Sequence, residues 1–374
     1  MIPFYTSLLS QPATVDGSLR TLCSRIASID SIVLTPNQRL FASGRDGAFE
    51  LLASADGSSR TERVAFAVDG VPTDCMKNGM ATDGDYLYLA CAHLHQSDNP
   101  LVRTILNDLN DVEQVAKCLL QLYMAAFSFR VESWILRCDL RRTPLAFTER
   151  LASLPPDPGS GGLASNFLAN GLAIDPHHSC LYVANSAPGL AATIYRVATD
   201  AAADSIRCAL WHRPPGCKPN GLRLLEQGLC YTGNGVSSAV LGRVPFNPDG
   251  SASTSEIIEI APLRLFAHFD AVPSGFVVAE SGDTTGLQAG ALRLVSCAGR
   301  TIGMVRHAGL RRPCAVALPL ADTALFTAGE VLVADRHDGR VLAFRPEEPW
   351  RQWLRGGDAH ARGTHPAANV PAPR

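Results

Sequence analysis

The sequence lacks long hydrophobic runs and carries little charge. No stretch of 18 consecutive apolar residues occurs, so a membrane-spanning helix is not expected. Only 18% of the residues are charged, and 33 basic against 35 acidic residues leave a net charge of −2. Nucleic-acid-binding proteins usually carry a basic face, so this near balance argues against a nucleic-acid partner. Because 46% of the residues are hydrophobic, the chain can nevertheless bury a large core.

Targeting and thiolate motifs are also missing. Residues 1–10 have neither a basic segment nor a continuous apolar segment, so no secretory signal peptide is expected. None of the 11 cysteines forms a C-x-x-C pair, which argues against a thiolate zinc site or a redox motif. Most of them are expected to act as small buried apolar residues. Together with the lack of an N-x-S/T sequon, these features predict a cytoplasmic protein.

Several catalytic motifs are absent as well. The chain contains no G-x-S-x-G elbow, no H-E-x-x-H helix and no phosphate-binding Walker loop. These absences argue against an α/β-hydrolase serine enzyme, a metalloprotease of that type and a P-loop nucleotidase. What the chain does have is a high content of turn residues, with 31 glycines and 25 prolines. Such a density of turn residues is typical of many short strands.

The chain contains a repeat of about fifty residues. Each unit has a polar residue, a short strand, a turn and a second strand rich in aromatic and β-branched residues. The polar residues that open the units are separated by 48, 92, 50 and 50 residues, and they are Asp30, Asn78, Asn170, Asn220 and Asp270. A sixth unit begins at Pro313-Cys314 without a polar residue.

Six such units predict an all-β fold, a six-bladed β-propeller. A generic repeat of β-sandwich strands is the alternative. The single propeller domain is expected to span residues 1–355, followed by a disordered tail at 356–374. The 92-residue interval is longer than one repeat. Its extra residues fall in the second blade, where apolar residues recur at helical spacing. A helical insertion is therefore predicted at about 96–133, either as a rim helix or as a lid.

The start of each inner strand lies beside the axis of a propeller, so the five polar residues are expected to converge. They supply two carboxylates and three amides, and such an all-oxygen set suits a hard cation. Ca²⁺ is the best candidate, with Mg²⁺, Mn²⁺ or Zn²⁺ as alternatives. A turn is the usual explanation of one Asn-Gly pair. It fits less well with three pairs in register with the repeat.

With its polar residues in this register, the sequence resembles a known superfamily of calcium-dependent six-bladed propellers. The resemblance is carried by Asn170–Asp175, by Leu181–Asn185 and by Lys218–Leu222, and it covers roughly residues 25–345. The similar families are the senescence marker protein/gluconolactonase (regucalcin-like) family, the paraoxonase/arylesterases and the strictosidine-synthase-like proteins. The resemblance implies metal ligands at four positions: Asp30, Asn170, Asn220 and Asp270. It also implies that Asn78 is a further ligand or a substrate contact.

Two positions depart from the pattern of these families. Glutamate is usual where this chain has Asp30, which is one methylene shorter, and Asp16 or Glu50 could substitute for it. The paraoxonase-like pattern also has a histidine pair near the second blade, and only His93 falls near it here. His268, two residues before Asp270, is a further candidate for the site.

The resemblance implies hydrolysis of a small-molecule lactone or ester. The bound cation would polarise the carbonyl, and Asp270 or His93 would take the proton of the attacking water. One alternative is a strictosidine-synthase-like enzyme that condenses an amine with an aldehyde, with Glu280 as the acid–base residue. The other is a propeller that binds a ligand without catalysis.

Overall fold

Six antiparallel sheets, arranged as the blades of a propeller, form the described part of this protein. The computed structural model describes residues 12–56, 58–94, 131–154, 168–186, 193–200, 208–283 and 288–356. Neighbouring strands in each sheet follow the order of the chain from the innermost strand outward, except that a strand from earlier in the chain is added at the outer edge of three of the sheets. The predicted all-β six-bladed propeller is thereby confirmed.

The strands of the blades have the following bounds. The first blade consists of β3 (Ser31–Leu34), β4 (Leu40–Gly44), β5 (Gly47–Ala53) and β6 (Ser59–Arg63). The second consists of β8 (Met76–Thr82), β9 (Tyr86–Leu94), β10 (Val131–Asp139) and β11 (Ala146–Leu154), with β7 (Ala65–Phe66) added parallel to β11. The third consists of β12 (Ala169–Asp175), β13 (Cys180–Asn185), β14 (Thr193–Ala198) and β15 (Cys208–His212).

The remaining three blades complete the circle. The fourth consists of β16 (Lys218–Leu225), β17 (Gly228–Asn234), β18 (Ser238–Val244) and β19 (Glu256–Pro262). The fifth consists of β20 (Arg264–Val272), β21 (Gly275–Asp283), β22 (Ala291–Ser296) and β23 (Thr301–Val305), with β1 (Ala13–Thr14) parallel to β23. The sixth consists of β24 (Pro313–Ala317), β25 (Val331–Asp335), β26 (Arg340–Pro346) and β2 (Gly17–Cys23). One short helix, α1 (Trp350–Leu354), follows.

The second strand of several blades is buried along its whole length. All residues of β4, β13 and β25 are buried, because the neighbouring blades cover both faces of these strands. A short continuous apolar run, such as Leu-Tyr-Val-Ala in β13, is what a strand covered on both faces requires. The core is thus divided among the interfaces between blades, and the first strands are left at the axis.

The N-terminal segment closes the circle. Strand β2 pairs antiparallel with β26, so the outermost strand of the sixth blade comes from the start of the chain. The predicted insertion at 96–133 lies outside the described residues except at its end, where residues 131–133 already belong to β10. The tail beyond residue 356 lies outside the described residues as well.

The described cysteines are either free thiols or part of a disulfide. Most of the described free cysteines are buried among apolar side chains, as expected, and these are Cys138, Cys180, Cys217, Cys230 and Cys314. Cys75 and Cys91 instead form a disulfide that ties the segment before β8 to the second strand of the same blade. No helix in the described ranges reaches the length and hydropathy that crossing a lipid bilayer demands.

Candidate functional site at the channel mouth

Three inner strands carry the same irregularity near their beginnings. In β8, β12 and β16 an Asn-Gly pair opposes a single residue of the second strand, which is the signature of a β-bulge. The three bulges are Asn78-Gly79 facing Ala90, Asn170-Gly171 facing Ala184, and Asn220-Gly221 facing Thr232. Because a bulge turns the strand locally and re-aims its side chain, it can direct each asparagine toward the axis.

The glycines of these bulges allow neighbouring inner strands to approach each other closely. A Cβ atom on Gly79 would collide with the carbonyl oxygen of Asn170, and one on Gly171 with the carbonyl oxygen of Asn220. A Cβ on Gly221 would lie 2.8 Å from the Cα of His268. The Asn-Gly pairs therefore reflect close packing around the axis, where only glycine fits, and not hairpin turns.

Hydrogen bonds fix the orientation of two of the amide side chains. Nδ2 of Asn78 donates to the carbonyl of Ala169 in the third blade at 2.7 Å. Nδ2 of Asn220 donates to the carbonyl of Phe266 in the fifth blade at 3.4 Å. Each amide nitrogen thus points to the next blade, which turns its oxygen away from that contact. The amide oxygens are therefore the groups that these residues can offer to a ligand.

Asp30 lies at the same end of the channel, in contact with a basic and a neutral partner. Its Oδ1 accepts a hydrogen bond from Nη2 of Arg336, in the loop after β25. Its Oδ2 is buried and receives no hydrogen bond from the described residues. Nε2 of His268 lies 3.9 Å from this oxygen and 3.4 Å from Oδ1 of Asn170. Each of the six blades thus contributes one residue to a polar cluster, which we call the mouth cluster: Asp30, Asn78, Asn170, Asn220, His268 and Arg336.

The electrostatics of the cluster keep His268 neutral. Burial lowers its pKa to about 4, the negative charge of Asp30 opposes this, and the positive charges of Arg223 and Arg336 add to it. Only 3% of the residue is exposed. At neutral pH the imidazole can therefore accept a proton, although it is a weak base.

Asp270 lies elsewhere, and this corrects its predicted placement at the start of an inner strand. It is the seventh residue of β20, where its Oδ1 accepts from Nε of Arg223 at 3.3 Å. The backbone N–H groups of Ala271 and Leu318 also donate to its carboxylate, at 2.9 and 3.0 Å. The structure brings Asp30, Asn78, Asn170 and Asn220 to one end of the channel, but it does not bring Asp270 to them.

The fifth blade has its own bulge, three residues before Asp270. There Ala267-His268 opposes Ala279, so His268 takes the place that glycine has in the other bulges. A signal in the sequence could have shown this. In two of the Asn-Gly bulges, the residue of the second strand that faces the bulge follows the asparagine by 12 residues: Ala90 follows Asn78, and Thr232 follows Asn220. The same interval separates Ala267 from Ala279. The equal interval of 50 residues from Asn220 favoured Asp270 instead.

The other two acid–base candidates also lie apart from the cluster. His93 is near the end of β9, and its Nδ1 lies 3.6 Å from Asp74 at the rim of the second blade. Glu280 is 1% exposed and accepts from Arg293 at 2.7 and 3.0 Å. A carboxylate held in this way inside a blade has no free path to a substrate. This argues against the condensing enzyme for which Glu280 was the acid–base candidate.

The mouth cluster fits a divalent cation in part. Asp30, Asn170 and Asn220, with Asn78 beside them, offer oxygens, and the unsatisfied Oδ2 of Asp30 is the strongest sign of a missing partner. Within the described ranges no three His, Cys, Asp or Glu side chains group closely enough to hold a metal, so a cation would rest mainly on amide oxygens. Arg336 offsets the charge of Asp30, which predicts weak cation binding. Asp270 does not fit as a ligand.

Comparison with known proteins gives likenesses in structure only. No family model matches the sequence, and no curated protein matches it. A proposed gluconolactonase of known structure is 12% identical, with a TM-score of 0.54, over 90% of this chain and 94% of that one. The PQQ-bound aldose sugar dehydrogenase of Streptomyces coelicolor is 15% identical, with a TM-score of 0.55, over 90% and 100%. A proposed glucose dehydrogenase of Thermus thermophilus is 13% identical, with a TM-score of 0.53, over 88% and 100%.

The chain shares their propeller fold. This agrees with the six-bladed propeller fold that the resemblance implies. At such identities the likeness shows the fold alone. The names of the three proteins include a hydrolase and dehydrogenases, so the reaction must be argued from the residues at the site.

Proposed function

We propose that this chain hydrolyses a lactone or another carboxylic ester at the mouth of its channel, with a divalent cation as cofactor. The observation that supports this most directly is the pair of half-buried Asp30 and buried His268 beside the ring of asparagines. Ester hydrolysis by water needs a proton acceptor and polarisation of the carbonyl, and it needs no nucleophile from the protein.

Five residues of the cluster have a role in this proposal. The oxygens of Asp30, Asn170 and Asn220 would hold the cation, with Asn78 as a further ligand or a substrate contact. When bound, the cation would supply Lewis-acid polarisation of the ester carbonyl. Neutral His268 would accept the proton of the attacking water, in place of Asp270 or His93. The negative charge of Asp30 would stabilise the imidazolium that forms, because it already raises the pKa of His268.

Nucleophilic catalysis by the neighbouring thiol is disfavoured. Cys314 is the second residue of the inner strand of the sixth blade, and its Sγ lies 3.3 Å from the carbonyl oxygen of Ile29. Burial raises its pKa to about 12. The group is therefore a protonated thiol at neutral pH and a poor nucleophile. This leaves water as the attacking group.

A lactone and aryl-ester panel, measured with and without a chelator, tests the proposal. We expect hydrolysis that a chelator abolishes and added Ca²⁺ restores. His268→Gln should lower kcat/KM by about 100-fold or more, because general-base catalysis contributes factors of that order. Asp30→Asn should raise the concentration of Ca²⁺ needed for half-maximal activity. Circular dichroism would verify that both variants are folded.

Asp270→Asn tests the base that the sequence favoured, because it removes the carboxylate that is bonded to Arg223, two positions along β20 from His268. Activity close to wild type in this variant supports His268 as the base, whereas a loss of activity equal to that of His268→Gln contradicts it. Substrate binding without turnover would favour the non-catalytic propeller. Oxidation of sugars with added PQQ, in place of hydrolysis, would also contradict the proposal.

A further inference from the structure

A cavity lies further along the channel from the mouth cluster. Its volume is about 460 Å³, which is within the range of small-molecule sites. Its walls are formed by the later residues of the inner strands, beginning directly after the bulges with Met80 and Leu172. The mouth cluster lies at the bulges and the cavity follows them along the inner strands, so no residue of the cavity lining belongs to the mouth cluster.

The wall of the cavity is mainly apolar. Leu34, Met80, Leu172, Leu224 and Leu318 contribute to it, and they come from the first, second, third, fourth and sixth blades. Transfer of an apolar group from water into an apolar cavity of this size is favourable, because it removes apolar surface from contact with water. The body of a suitable ligand is therefore apolar.

One ion pair interrupts the apolar wall and determines the polar part of the ligand. Nε of Arg223 lies 3.3 Å from Oδ1 of Asp270, and Nη1 donates to the carbonyl of Leu222 at 3.0 Å. The two side chains are only 20% and 25% exposed. Because the pair is neutral as a whole, a charged ligand would enter the cavity without a counter-charge, at a high desolvation cost. A hydroxyl or an amide can accept from the guanidinium and donate to the carboxylate.

The rim of the cavity carries an exposed apolar side chain. Leu320, in the connection between β24 and β25, is 82% exposed and contributes to the cavity lining. Its backbone N–H donates to Oε1 of Gln38 at 3.0 Å, which fixes the segment against the first blade. A ligand bound in the cavity would cover this leucine and remove its side chain from water.

We propose that this cavity is a second binding site, which takes a neutral and mainly apolar small molecule carrying one hydroxyl or amide group. The ion pair of Arg223 and Asp270 binds the polar group, and the leucine-rich wall binds the apolar body. The proposal does not depend on the reaction at the mouth cluster, because none of the cavity residues belongs to that cluster.

Binding of 1-octanol to the full chain tests this site, by isothermal titration calorimetry and ligand-observed NMR. We expect saturable binding of 1-octanol and binding of octanoate and octylammonium that is weaker by about tenfold or more. Ala271→Phe, which enlarges a residue of the cavity lining, should weaken 1-octanol binding by about tenfold. Ala324→Phe is the matched control in an exposed part of the β24–β25 connection, and it should leave binding unchanged.

A second variant tests the site independently, in case the first does not fold. Leu320→Ser changes an exposed side chain and should weaken binding without lowering the melting temperature. Failure of 1-octanol to saturate, equal binding by Ala271→Phe when circular dichroism shows it folded, or equally tight binding of octanoate would each overturn the proposal. Loss of lactone hydrolysis in His268→Gln with 1-octanol binding retained would show that the two sites are independent.

Discussion

His268 differs from its counterparts in the other bulged strands. Where the second, third and fourth blades have glycine, the fifth blade places an imidazole between Asp30 and Asn170. The neighbouring strands still approach closely, because Gly221 leaves room beside the Cα of His268. One substitution in a repeated bulge therefore gives the channel mouth an ionisable group that amides alone cannot supply.

The lowered pKa of His268 predicts a pH dependence of stability. Its pKa falls from 6.5 to about 4 on folding, so the unfolded chain binds more protons between these pH values. The stabilisation is complete above pH 6.5 and is lost as the pH falls toward 4, by up to about 3 kcal/mol. Urea unfolding of the wild type and of His268→Gln is measured from pH 7 to pH 4 with a chelator present. The difference between the two proteins gives the contribution of His268 to the pH dependence of the free energy of unfolding.

The charged groups that face His268 are Asp30, Arg223 and Arg336. They remain in the variant, so their own titration is common to both proteins. Wild type should lose more stability than His268→Gln over this range. Equal slopes for the two proteins would show that the histidine is hydrated or already charged in the folded state.

At the scale of the strand, the bulges position the site. Each bulge aligns an asparagine with the axis and places a glycine against the next inner strand, so side-chain direction and blade packing depend on the same two residues. A substitution of the glycine should therefore affect stability through packing and not through backbone conformation.

Gly171→Ala tests this dependence. Its Cβ would meet the carbonyl oxygen of Asn220, which belongs to a neighbouring strand and cannot move away alone. We expect the free energy of unfolding to fall by about 3 kcal/mol, at the upper end of the usual cost of overpacking. Gly250→Ala is the control, because nothing lies within 4 Å of its Cβ although its φ is +79°. That control should cost about 1 kcal/mol, and an equal cost for both would contradict the packing argument.

The repeat predicted the strands that carry the site but not the register of every strand. Asn78, Asn170 and Asn220 could be found because each pair of Asn and Gly recurs with an apolar residue directly after it. Asp270 was placed by spacing alone, and spacing does not detect where a bulge adds a residue. Its carboxylate lies instead beside Arg223, two positions or about 7 Å along the strand from His268.

At the scale of the whole molecule, the start of the chain completes the propeller. Strand β2 pairs with β26, and Arg20 of β2 bonds the carbonyl of Leu325 and the carboxylate of Glu330 at 2.7 and 2.9 Å. The sequence did not reveal this strand, because Gly17–Cys23 is exposed or half-buried except at Leu22 and lies before the first repeat. Pairing between the two ends of a chain has no local signal, since it is determined by closure of the circle.

Removal of residues 1–23 should therefore open the sixth blade. The deletion removes the hydrogen bonds of β2 to β26 and leaves Glu330, which is 3% exposed, without Arg20. An unpaired strand edge and a buried carboxylate without its cation both destabilise the fold and promote association. We expect a melting temperature lower by roughly 10 °C or more, or aggregation during size-exclusion chromatography. Removal of residues 1–11 is the control, since it keeps every described contact of β2. A truncated chain with the melting temperature of the control would show that the contacts between blades hold the propeller closed without β2.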